Sequence, residues 1–341
     1  MHRCLQLARL GEYYAAPNPM VGAVLVADGG GDQDYIANNH ILGEGWHMQY
    51  GGPHAEPNCL RNAKEKHGNG IDYKHCTLYV SLEPCSHYGK TPPCAELIIQ
   101  KGIGRVVIGC LDPNPKVAGR GVRMMQDAGI EVIVGILAEE CRELNKRFIC
   151  LQEKKRPYVV LKWAQSADGY IDIKREIDSE EREEPVVIST PLMKQLVHEQ
   201  RAKNMAIMVG TRTVLLDDPR LLTTHWSGRN PIRITLDRHN ILPRDSRIFS
   251  DDAETIVYRE NTEWENILAD LAERNIHSVL VEGGAQLLNT IIDSGIYDEV
   301  HIEISDKEIC RGRDGVKAPN YTFTTAPSLI DGHLVYIEKK R

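Results

Sequence analysis

Short apolar runs alternate with longer amphipathic stretches along the first half of the chain. Runs of this length are typical of buried strands, and stretches that mix apolar with charged residues are typical of helices. The pattern predicts strands at residues 20–27, 76–82, 105–110 and 131–134, and helices at residues 54–66, 94–101, 121–128 and 139–151. Strands that alternate with helices indicate a sheet covered by helices, which is the α/β class.

The second half shows the same alternation after a charged run at residues 153–156. It predicts strands at residues 158–164, 205–210, 232–237, 255–258, 277–282 and 300–304, and helices at residues 191–203 and 285–294. Ser189 and Thr190 are candidate caps for the helix that starts at Pro191, because their side-chain oxygens can accept backbone N–H groups. The highly charged residues 172–184 are expected to form a solvated loop.

The length of 341 residues favours two domains over one. The pattern places them at residues 1–150 and 151–341. Hydrophobic residues make up 42% of the chain, and no apolar run is long enough to span a membrane, so no membrane partner is expected. The net charge of −7 argues against a nucleic-acid partner, which normally requires a basic surface.

The nine cysteines are scattered and odd in number, which indicates reduced thiols rather than a disulfide framework. Reduced thiols are typical of the cytoplasm, so a cytoplasmic location is expected. The start of the chain, Met1-His2-Arg3-Cys4-Leu5, is expected to carry no signal peptide.

Two short motifs in the first domain carry candidate metal chemistry, His54-Ala55-Glu56 and the pair Cys85 and Cys94. One imidazole and two thiolates can hold a single tetrahedral zinc ion, with the fourth position open to water. Zinc lowers the pKa of bound water to roughly 7, so hydroxide can attack a ring carbon that bears an amine. Glu56 is then the carboxylate that moves the protons. This set predicts a zinc deaminase of nucleobase-like amines.

Alternatives remain for these residues. A structural zinc would need a fourth protein ligand, and Glu56 or His87 could provide it. The common deaminase signature has two residues between its cysteines, whereas eight separate Cys85 from Cys94. The longer loop contains His87 and Lys90, which either bind an anionic group such as a phosphate or face solvent.

The motifs of both halves resemble those of the bifunctional riboflavin-biosynthesis deaminase–reductases, and the resemblance covers nearly the whole chain. In the first half the matching segments are Asn18-Pro19-Met20-Val21-Gly22, Gly45-Trp46-His47, His54-Ala55-Glu56, Glu83-Pro84-Cys85-Ser86-His87, Gly89-Lys90-Thr91-Pro92-Pro93-Cys94 and Asp112-Pro113-Asn114-Pro115. In the second half they are Leu161-Lys162-Trp163-Ala164-Gln165-Ser166-Ala167-Asp168-Gly169, Gly210-Thr211-Arg212-Thr213, Leu216-Asp217-Asp218-Pro219 and Val281-Glu282-Gly283-Gly284.

The resemblance implies a cytidine-deaminase-like three-layer α/β/α domain, followed by an α/β domain similar to dihydrofolate reductase. It implies that the first domain uses zinc to deaminate 2,5-diamino-6-(5-phosphoribosylamino)pyrimidin-4(3H)-one by hydrolysis. The second domain is then expected to use NADPH to reduce 5-amino-6-(5-phosphoribosylamino)uracil to the ribitylamino product. The family also forms homo-oligomers, so a dimer or a tetramer is expected.

The resemblance also assigns binding residues. Residues expected to bind the deaminase substrate are Asn18, His47, His87 and Lys90. Residues expected to bind NADPH are Ala164, Thr213, Asp217, Leu221, Gly284, Ala285, Gln286 and Leu287. Residues expected to bind the reductase substrate are Arg201 at its phosphate, Glu282 and Lys162. Independently of the resemblance, two glycines between a strand and a helix either admit a phosphate to the helix N-terminus or form a tight turn.

Two segments depart from the family pattern. Residues 185–188 replace a Ser-x-Trp-Ile segment, and Thr224, followed by His225, stands where the family often has an arginine for the substrate phosphate. A deaminase with an impaired reductase half is therefore one alternative. A non-enzymatic zinc scaffold is another. A nucleic-acid base deaminase with a C-terminal binding module is a third, but it would need a basic second half rich in aromatic residues, which make up only 6% of the chain.

Overall fold

Each half of the chain folds around its own β-sheet in the computed structural model, which describes residues 1–28, 40–88, 92–114, 118–177, 183–260, 262–311 and 314–340. The two units are Met1–Lys154 and Lys155–Arg341. Their boundary falls at residue 154, whereas the hydrophobic pattern placed it at residue 150. Within the described residues, none of the helices combines the length and hydropathy that a membrane span requires.

The first unit contains a five-stranded sheet with the order β2-β1-β3-β4-β5. Its strands are β1 (Gly22–Ala27), β2 (Ile41–Trp46), β3 (Cys76–Leu82), β4 (Arg105–Cys110) and β5 (Glu131–Val134). Its helices are α1 (His2–Arg9), α2 (Ala55–His67), α3 (Cys94–Lys101), α4 (Arg120–Asp127), α5 (Ala138–Leu144) and α6 (Lys146–Lys154). Strand β1 pairs antiparallel with β2 and β3, whereas β3, β4 and β5 are parallel.

Helices cover both faces of this sheet. On one face α2, α3 and α4 bury apolar side chains, among them Ile98 and Met125, against the strands. On the other face Leu7 of α1 packs against Val24, and Cys141 of α5 packs against the ends of β3 and β4. The arrangement confirms the three-layer α/β/α domain that the resemblance implied.

Strand β2 was not predicted. Its glycines weaken the hydrophobic pattern in the sequence, and they also let α2 pack closely against the strand. Gly45 lies against α2 so closely that a Cβ atom there would be 2.2 Å from the Cys59 backbone nitrogen. Helix α2 therefore packs directly on the backbone of this edge strand. Asn58 of α2 also donates to the Trp46 carbonyl at 2.8 Å. This close packing brings the start of α2 next to the end of β2.

The helix predicted at residues 139–151 is two helices, so that prediction was wrong. Helices α5 and α6 are separated by Asn145, which is buried. Its side chain accepts from the Met20 backbone nitrogen at 2.8 Å and donates to the Met20 carbonyl at 2.9 Å. An asparagine that pairs with a distant backbone segment in this way competes with continuous helix.

The second unit contains an eight-stranded sheet with the order β10-β9-β8-β11-β6-β12-β15-β14. Its strands are β6 (Tyr158–Gln165), β8 (Ala206–Val209), β9 (Ile232–Leu236), β10 (Thr255–Tyr258), β11 (Ser278–Val281), β12 (Glu299–Ile304), β14 (Ser328–Ile330) and β15 (His333–Lys339). A two-stranded sheet pairs β7 (Tyr170–Ile173) with β13 (Gly315–Lys317). The helices are α7 (Pro191–Lys203), α8 (Thr211–Asp217), α9 (Trp264–Glu273) and α10 (Ala285–Ser294).

The strands from β10 to β12 in this order run parallel, and β15 and β14 are antiparallel. Strands β8 and β11 are buried along their whole length, as expected for parallel strands covered on both faces. Leu271 of α9 and Leu288 of α10 pack into the main core. The carboxyl ends of the parallel strands lie along one edge, so the segments that follow them share that edge.

Two predictions about the segment before β8 had opposite outcomes. Thr190 caps α7 as predicted, because its side chain accepts from the Met193 backbone nitrogen at 3.2 Å. The solvated loop predicted at residues 172–184 was wrong in part, since Asp172 lies in β7 and Arg175 is buried. The Arg175 guanidinium pairs with Asp172 at 2.5 Å and with Asp217 at 2.6 Å, which stabilises it in the interior. Residues 178–182 of that stretch lie outside the described residues.

Candidate active sites

His54, Cys85 and Cys94 meet where α2 and α3 begin. His54 is the N-cap of α2, and Cys94 is the first residue of α3. The His54 Nδ1 atom lies 3.7 Å from Cys85 Sγ and 3.4 Å from Cys94 Sγ. Tetrahedral zinc with ordinary bond lengths places its nitrogen and sulfur ligands about 3.6 Å apart. The three side chains therefore fit a zinc ion.

Among the described residues, the cluster of possible metal ligands contains these three side chains and neither Glu56 nor His87. The fourth protein ligand that a structural zinc site would require is therefore not found among them. A set of three ligands matches the open type of site in which the fourth position is left to water or substrate.

The start of α3 also stabilises Cys85. The Cys94 backbone nitrogen donates to Cys85 Sγ at 3.3 Å, and the Ala95 nitrogen donates to the Cys85 carbonyl at 3.2 Å. A hydrogen bond from the Cys94 side chain, together with His54, lowers the pKa of the Cys85 thiol to about 4 although burial opposes this. Cys85 is therefore a thiolate at neutral pH, which is the form that binds metal.

Glu56 lies in the first turn of α2, two residues after His54, and is only 3% exposed. Burial raises the pKa of its carboxyl group, and the charge of His54 partly opposes the shift. A buried carboxyl group with a raised pKa beside a metal site is suited to exchange protons with a reacting molecule.

Asn18 and His47 form a hydrogen-bonded pair beside this cluster. His47 Nδ1 lies 3.0 Å from the Pro53 carbonyl, which can only accept, so Nδ1 carries the proton. His47 Nε2 therefore accepts from Asn18 Nδ2 at 3.0 Å. The His47 ring stands edge-on to His54, with 5.4 Å between centroids. This chain of bonds fixes the Asn18 amide and leaves its Oδ1 as an acceptor directed away from His47.

The loop between the two cysteines is described only in part. His87 is exposed, and Lys90 lies outside the described residues. Asp112, which follows β4, is buried, and burial raises its pKa to about 6. Its charge interacts with those of His87 and Cys85. Asp112 was noted only within a motif, although a polar residue two positions after a buried strand was a signal for a site.

In the second unit, a cavity of about 1160 Å³ opens where β6, β8, β9 and β11 end. Small-molecule sites typically occupy about 300–1,000 Å³, so this one has room for a dinucleotide beside a substrate. The expected residues that line it are Lys162, Ala164, Arg201, Thr213, Asp217, Glu282, Gly284, Ala285, Gln286 and Leu287. Leu221 is not among the lining residues, because it is buried in a small cluster with Ile207, Val209 and Val214.

The turn between β11 and α10 presents a helix N-terminus to this cavity. A Cβ atom at Gly283 would lie 2.8 Å from the Val209 Cα atom, so only glycine lets the turn lie against β8. Gly284 has a positive φ of 37° and precedes Ala285, the first residue of α10. Free N–H groups at such a start favour an anionic group, including the pyrophosphate of a dinucleotide.

Arg201 and Glu282 form a bidentate ion pair in the same cavity. Arg201 Nε donates to Glu282 Oε1 at 3.0 Å, and Nη2 donates to Oε2 at 2.6 Å. Arg201 Nη1 donates to the Leu222 carbonyl at 3.1 Å. Burial opposes the ionisation of Glu282, but the guanidinium holds the pKa of this carboxyl below its usual range. Burial also lowers the pKa of Lys162, while the charges of Glu282 and Glu303 oppose that shift.

The cavity also includes residues that were not predicted from the sequence. Arg238, His239 and Trp264 line it beyond the ends of β9 and β10. The expected cofactor residue Asp217 also has a partner that was not foreseen, because Arg175 donates to it at 2.6 Å. These contacts join segments far apart in sequence, so no local pattern revealed them.

Two protein-family models match the chain. The cytidine and deoxycytidylate deaminase zinc-binding region matches residues 1–110, and the RibD C-terminal domain matches residues 157–307. The fold of the first unit and its three-ligand cluster thus define a zinc-binding deaminase domain. The second unit is the reductase domain found in RibD proteins.

Comparisons with whole proteins agree with both models. The riboflavin biosynthesis protein RibD of Aquifex aeolicus is 37% identical over 92% of this chain and 87% of its own length. The protein of that name from Escherichia coli is 36% identical over 90% of this chain and 87% of its own. The diaminohydroxyphosphoribosylaminopyrimidine deaminase/5-amino-6-(5-phosphoribosylamino)uracil reductase from Thermotoga maritima has 38% identity and a TM-score of 0.83, covering 99% of this chain and 96% of that chain.

The chain belongs to the RibD family of riboflavin biosynthesis proteins. It is a bifunctional enzyme that combines a zinc-dependent hydrolase, the deaminase, with an NADPH-dependent oxidoreductase. The family, the fold class and the two cofactors expected from the sequence are thereby confirmed.

Proposed function

We propose that the first unit deaminates 2,5-diamino-6-(5-phosphoribosylamino)pyrimidin-4(3H)-one. The second unit then reduces 5-amino-6-(5-phosphoribosylamino)uracil to its ribitylamino product with NADPH. One observation carries this proposal, which is that both sites occur in one chain. The first unit has a three-ligand metal cluster beside the buried carboxyl group of Glu56, and the second unit has a large cavity. Similarity over nearly the full length to an enzyme named for both steps supports the choice of substrates.

In the deaminase, Glu56 is the proposed proton shuttle. Zinc held by His54, Cys85 and Cys94 supplies the Lewis acidity that makes water a nucleophile near neutral pH. Glu56 accepts a proton as the water attacks and delivers it to the ring nitrogen. It then takes the second proton from the hydroxyl group that the water has formed on the ring carbon and passes it to the amine, so that the carbon–nitrogen bond breaks, a carbonyl forms and ammonia leaves. The burial of Glu56 supports this role, because a carboxyl group shielded from bulk water keeps its proton within the site.

Asn18 and His47 are proposed to orient the deaminase substrate. Because the Asn18 amide nitrogen donates to His47, its Oδ1 atom would accept a hydrogen bond from the amine of the substrate. His47 stays neutral because burial lowers its pKa. His87 and Lys90 are proposed to bind the phosphate of this substrate, with Lys90 on the part of the loop outside the described residues.

In the reductase, the start of α10 is proposed to bind the cofactor. NADPH supplies the hydride. Residues 284–287 would donate backbone N–H groups to its pyrophosphate, while Ala164, Thr213 and Asp217 line the rest of its path. Arg201, Glu282 and Lys162 are proposed to hold the substrate against it, which is the main requirement for transfer between two bound molecules.

An impaired reductase is the second candidate. It is favoured by Val187, which replaces the family tryptophan and is 61% exposed, and by Thr224 in the place of an arginine. The intact cavity and the partly buried Arg201–Glu282 pair favour an active reductase.

The test is an assay with the diaminopyrimidine ribotide that follows ammonia release and NADPH loss separately. The proposal predicts that Glu56→Gln reduces ammonia release by about 10²–10⁴-fold while one zinc per chain remains bound. Ammonia release at the wild-type rate in Glu56→Gln would remove this residue from the mechanism. No NADPH loss in the wild type, even with the uracil ribotide supplied directly, would establish the impaired reductase.

Arg201→Ala is the matched variant for the second unit. It is expected to slow NADPH oxidation with the uracil ribotide and to leave ammonia release unchanged. An equal loss of both activities would contradict the assignment of the two reactions to two separate units.

Two further properties are proposed from the sequence and the thiols. We propose a homo-oligomer, a dimer or a tetramer, and light scattering on the purified protein that gives the mass of a single chain would refute it. We also propose a cytoplasmic location, since all nine cysteines are free thiols. Cell fractionation checks this location.

A further inference from the structure

Three nitrogen-bearing side chains of α7 line one wall of the reductase cavity. Lys194, His198 and Arg201 follow one another at spacings of four and three residues, so they lie on one face of the helix. All three belong to the cavity lining. The wall adjoins Thr224, whose backbone nitrogen donates to His198 Nδ1 at 3.0 Å. Thr224, where the family often has an arginine, is therefore in direct contact with this face of α7.

The contact with Thr224 determines which His198 nitrogen can donate. Because Nδ1 accepts a backbone N–H group, the ring proton is on Nε2. Burial, with the charges of Arg201 and His225, lowers the pKa of His198 to about 4, so the ring is neutral at pH 7. The His225 ring stands edge-on to it, with 4.7 Å between centroids, and restricts its rotation. His198 is thus a fixed neutral donor.

Arg201 cannot neutralise a phosphate alone. Its Nε, Nη1 and Nη2 atoms already donate to Glu282 and to the Leu222 carbonyl. A guanidinium has five N–H groups, so two remain, but the charge is offset by the Glu282 carboxylate. Among the described residues, Lys194 has no acidic partner. Within the part of the chain that the structure describes, Lys194 is therefore the positive charge of this wall that no carboxylate offsets.

We propose that Lys194 and His198 join Arg201 to form the subsite for the 5′-phosphate of the reductase substrate, in place of the arginine absent at Thr224. The inference rests on the proposed function for the phosphoribosyl nature of the substrate. A dianionic phosphate would receive the Lys194 ammonium, the His198 Nε2–H and the two remaining N–H groups of Arg201. Charge-assisted hydrogen bonds of this kind are the strong ones in phosphate recognition.

The test is calorimetric binding of ribose 5-phosphate to the full chain, with ribose as the ligand that lacks the phosphate. The phosphate site proposed in the deaminase unit is unchanged in every variant, so differences between variants report on α7. Lys194→Ala and His198→Leu are each expected to weaken ribose 5-phosphate binding about tenfold. His198→Gln keeps a side-chain donor and is expected to retain most of the affinity. Lys203→Ala is the matched control, because Lys203 is on the same helix, pairs with Glu199 and is outside the cavity lining.

Steady-state kinetics with the uracil ribotide provide the second measurement. The KM for this substrate is expected to rise about tenfold in Lys194→Ala with little change in kcat, because phosphate binding is the same before and during hydride transfer. Wild-type affinity in Lys194→Ala, an equal loss in Lys203→Ala, or no binding of ribose 5-phosphate to the wild type would each overturn the proposal. Failure of the proposed function is a different result, in which ribose 5-phosphate binds but no NADPH is consumed.

Discussion

The ion pair between Arg201 and Glu282 allows a direct test of how the reductase cavity is stabilised. Arg201→Met removes the guanidinium and leaves the Glu282 carboxylate, at 9% exposure, without its bidentate partner. Breaking a buried pair on one side costs about 3–5 kcal/mol. The expected loss in the free energy of unfolding is about 3 kcal/mol, at the lower end, because the positive charge of Lys162 also acts on Glu282.

The double variant Arg201→Met with Glu282→Gln is the control. It removes both charges and leaves a neutral amide of nearly the same shape as the carboxylate. Its stability is expected to lie within about 1 kcal/mol of the wild type, since replacing both members of a buried pair is often nearly neutral. Hydrogen-exchange mass spectrometry in increasing urea measures the effect locally, on peptides from β8 and β11.

The pH dependence of stability in the same variants gives an independent test of the ion pair. The folded protein holds the pKa of Glu282 below its unfolded value of about 4.3, so the stabilisation is present above that pH and is lost as the pH falls through the folded pKa. The deficit of Arg201→Met should therefore be largest near neutral pH and should shrink on acidification. A single variant as stable as the wild type, or a deficit that does not change with pH, would refute the reasoning.

Three further predictions concern other parts of the chain. Gly283→Ala would place a Cβ atom 2.8 Å from the Val209 Cα atom, so the KM for NADPH should rise while ammonia release stays unchanged. Asn145→Ala leaves the backbone N–H and C=O groups of Met20 unpaired, at a cost of about 1–3 kcal/mol. We expect a lower melting temperature and a higher KM of the deaminase. Removal of zinc by a chelator should make Cys85, with its pKa of about 4, the first thiol to react with a disulfide reagent at pH 6, and added zinc should protect it.

The elements predicted best from the sequence are those with a continuous apolar pattern. Strands β3, β4, β5 and β10 and helices α3, α7 and α10 have the predicted bounds. The cluster of His54, Cys85 and Cys94 could also be predicted, because one imidazole and two thiols are ligand types that zinc prefers. The expected NADPH contact at Leu221 stays a prediction, because its side chain is buried in a small apolar cluster and is not among the residues that line the cavity.

The elements that were not predicted have weak or irregular hydrophobic patterns. Their helix or strand structure depends on packing against other parts of the chain. Strand β2 contains two glycines and becomes a strand because α2 packs directly on its backbone. Helices α1, α8 and α9 and the C-terminal strands β13, β14 and β15 were not predicted either. Arg175 reads as a surface charge in the sequence, and only Asp172 and Asp217, which approach it in the fold, stabilise its burial.

Cys94→Ser, which removes one thiolate from the metal cluster, tests the two-site assignment when both activities are measured. With the diaminopyrimidine ribotide, we expect neither ammonia release nor NADPH loss. With the uracil ribotide, we expect NADPH loss at the wild-type rate, because the second unit has its own cavity. Ammonia release at the wild-type rate, or loss of NADPH oxidation with the uracil ribotide, would contradict the two-site assignment.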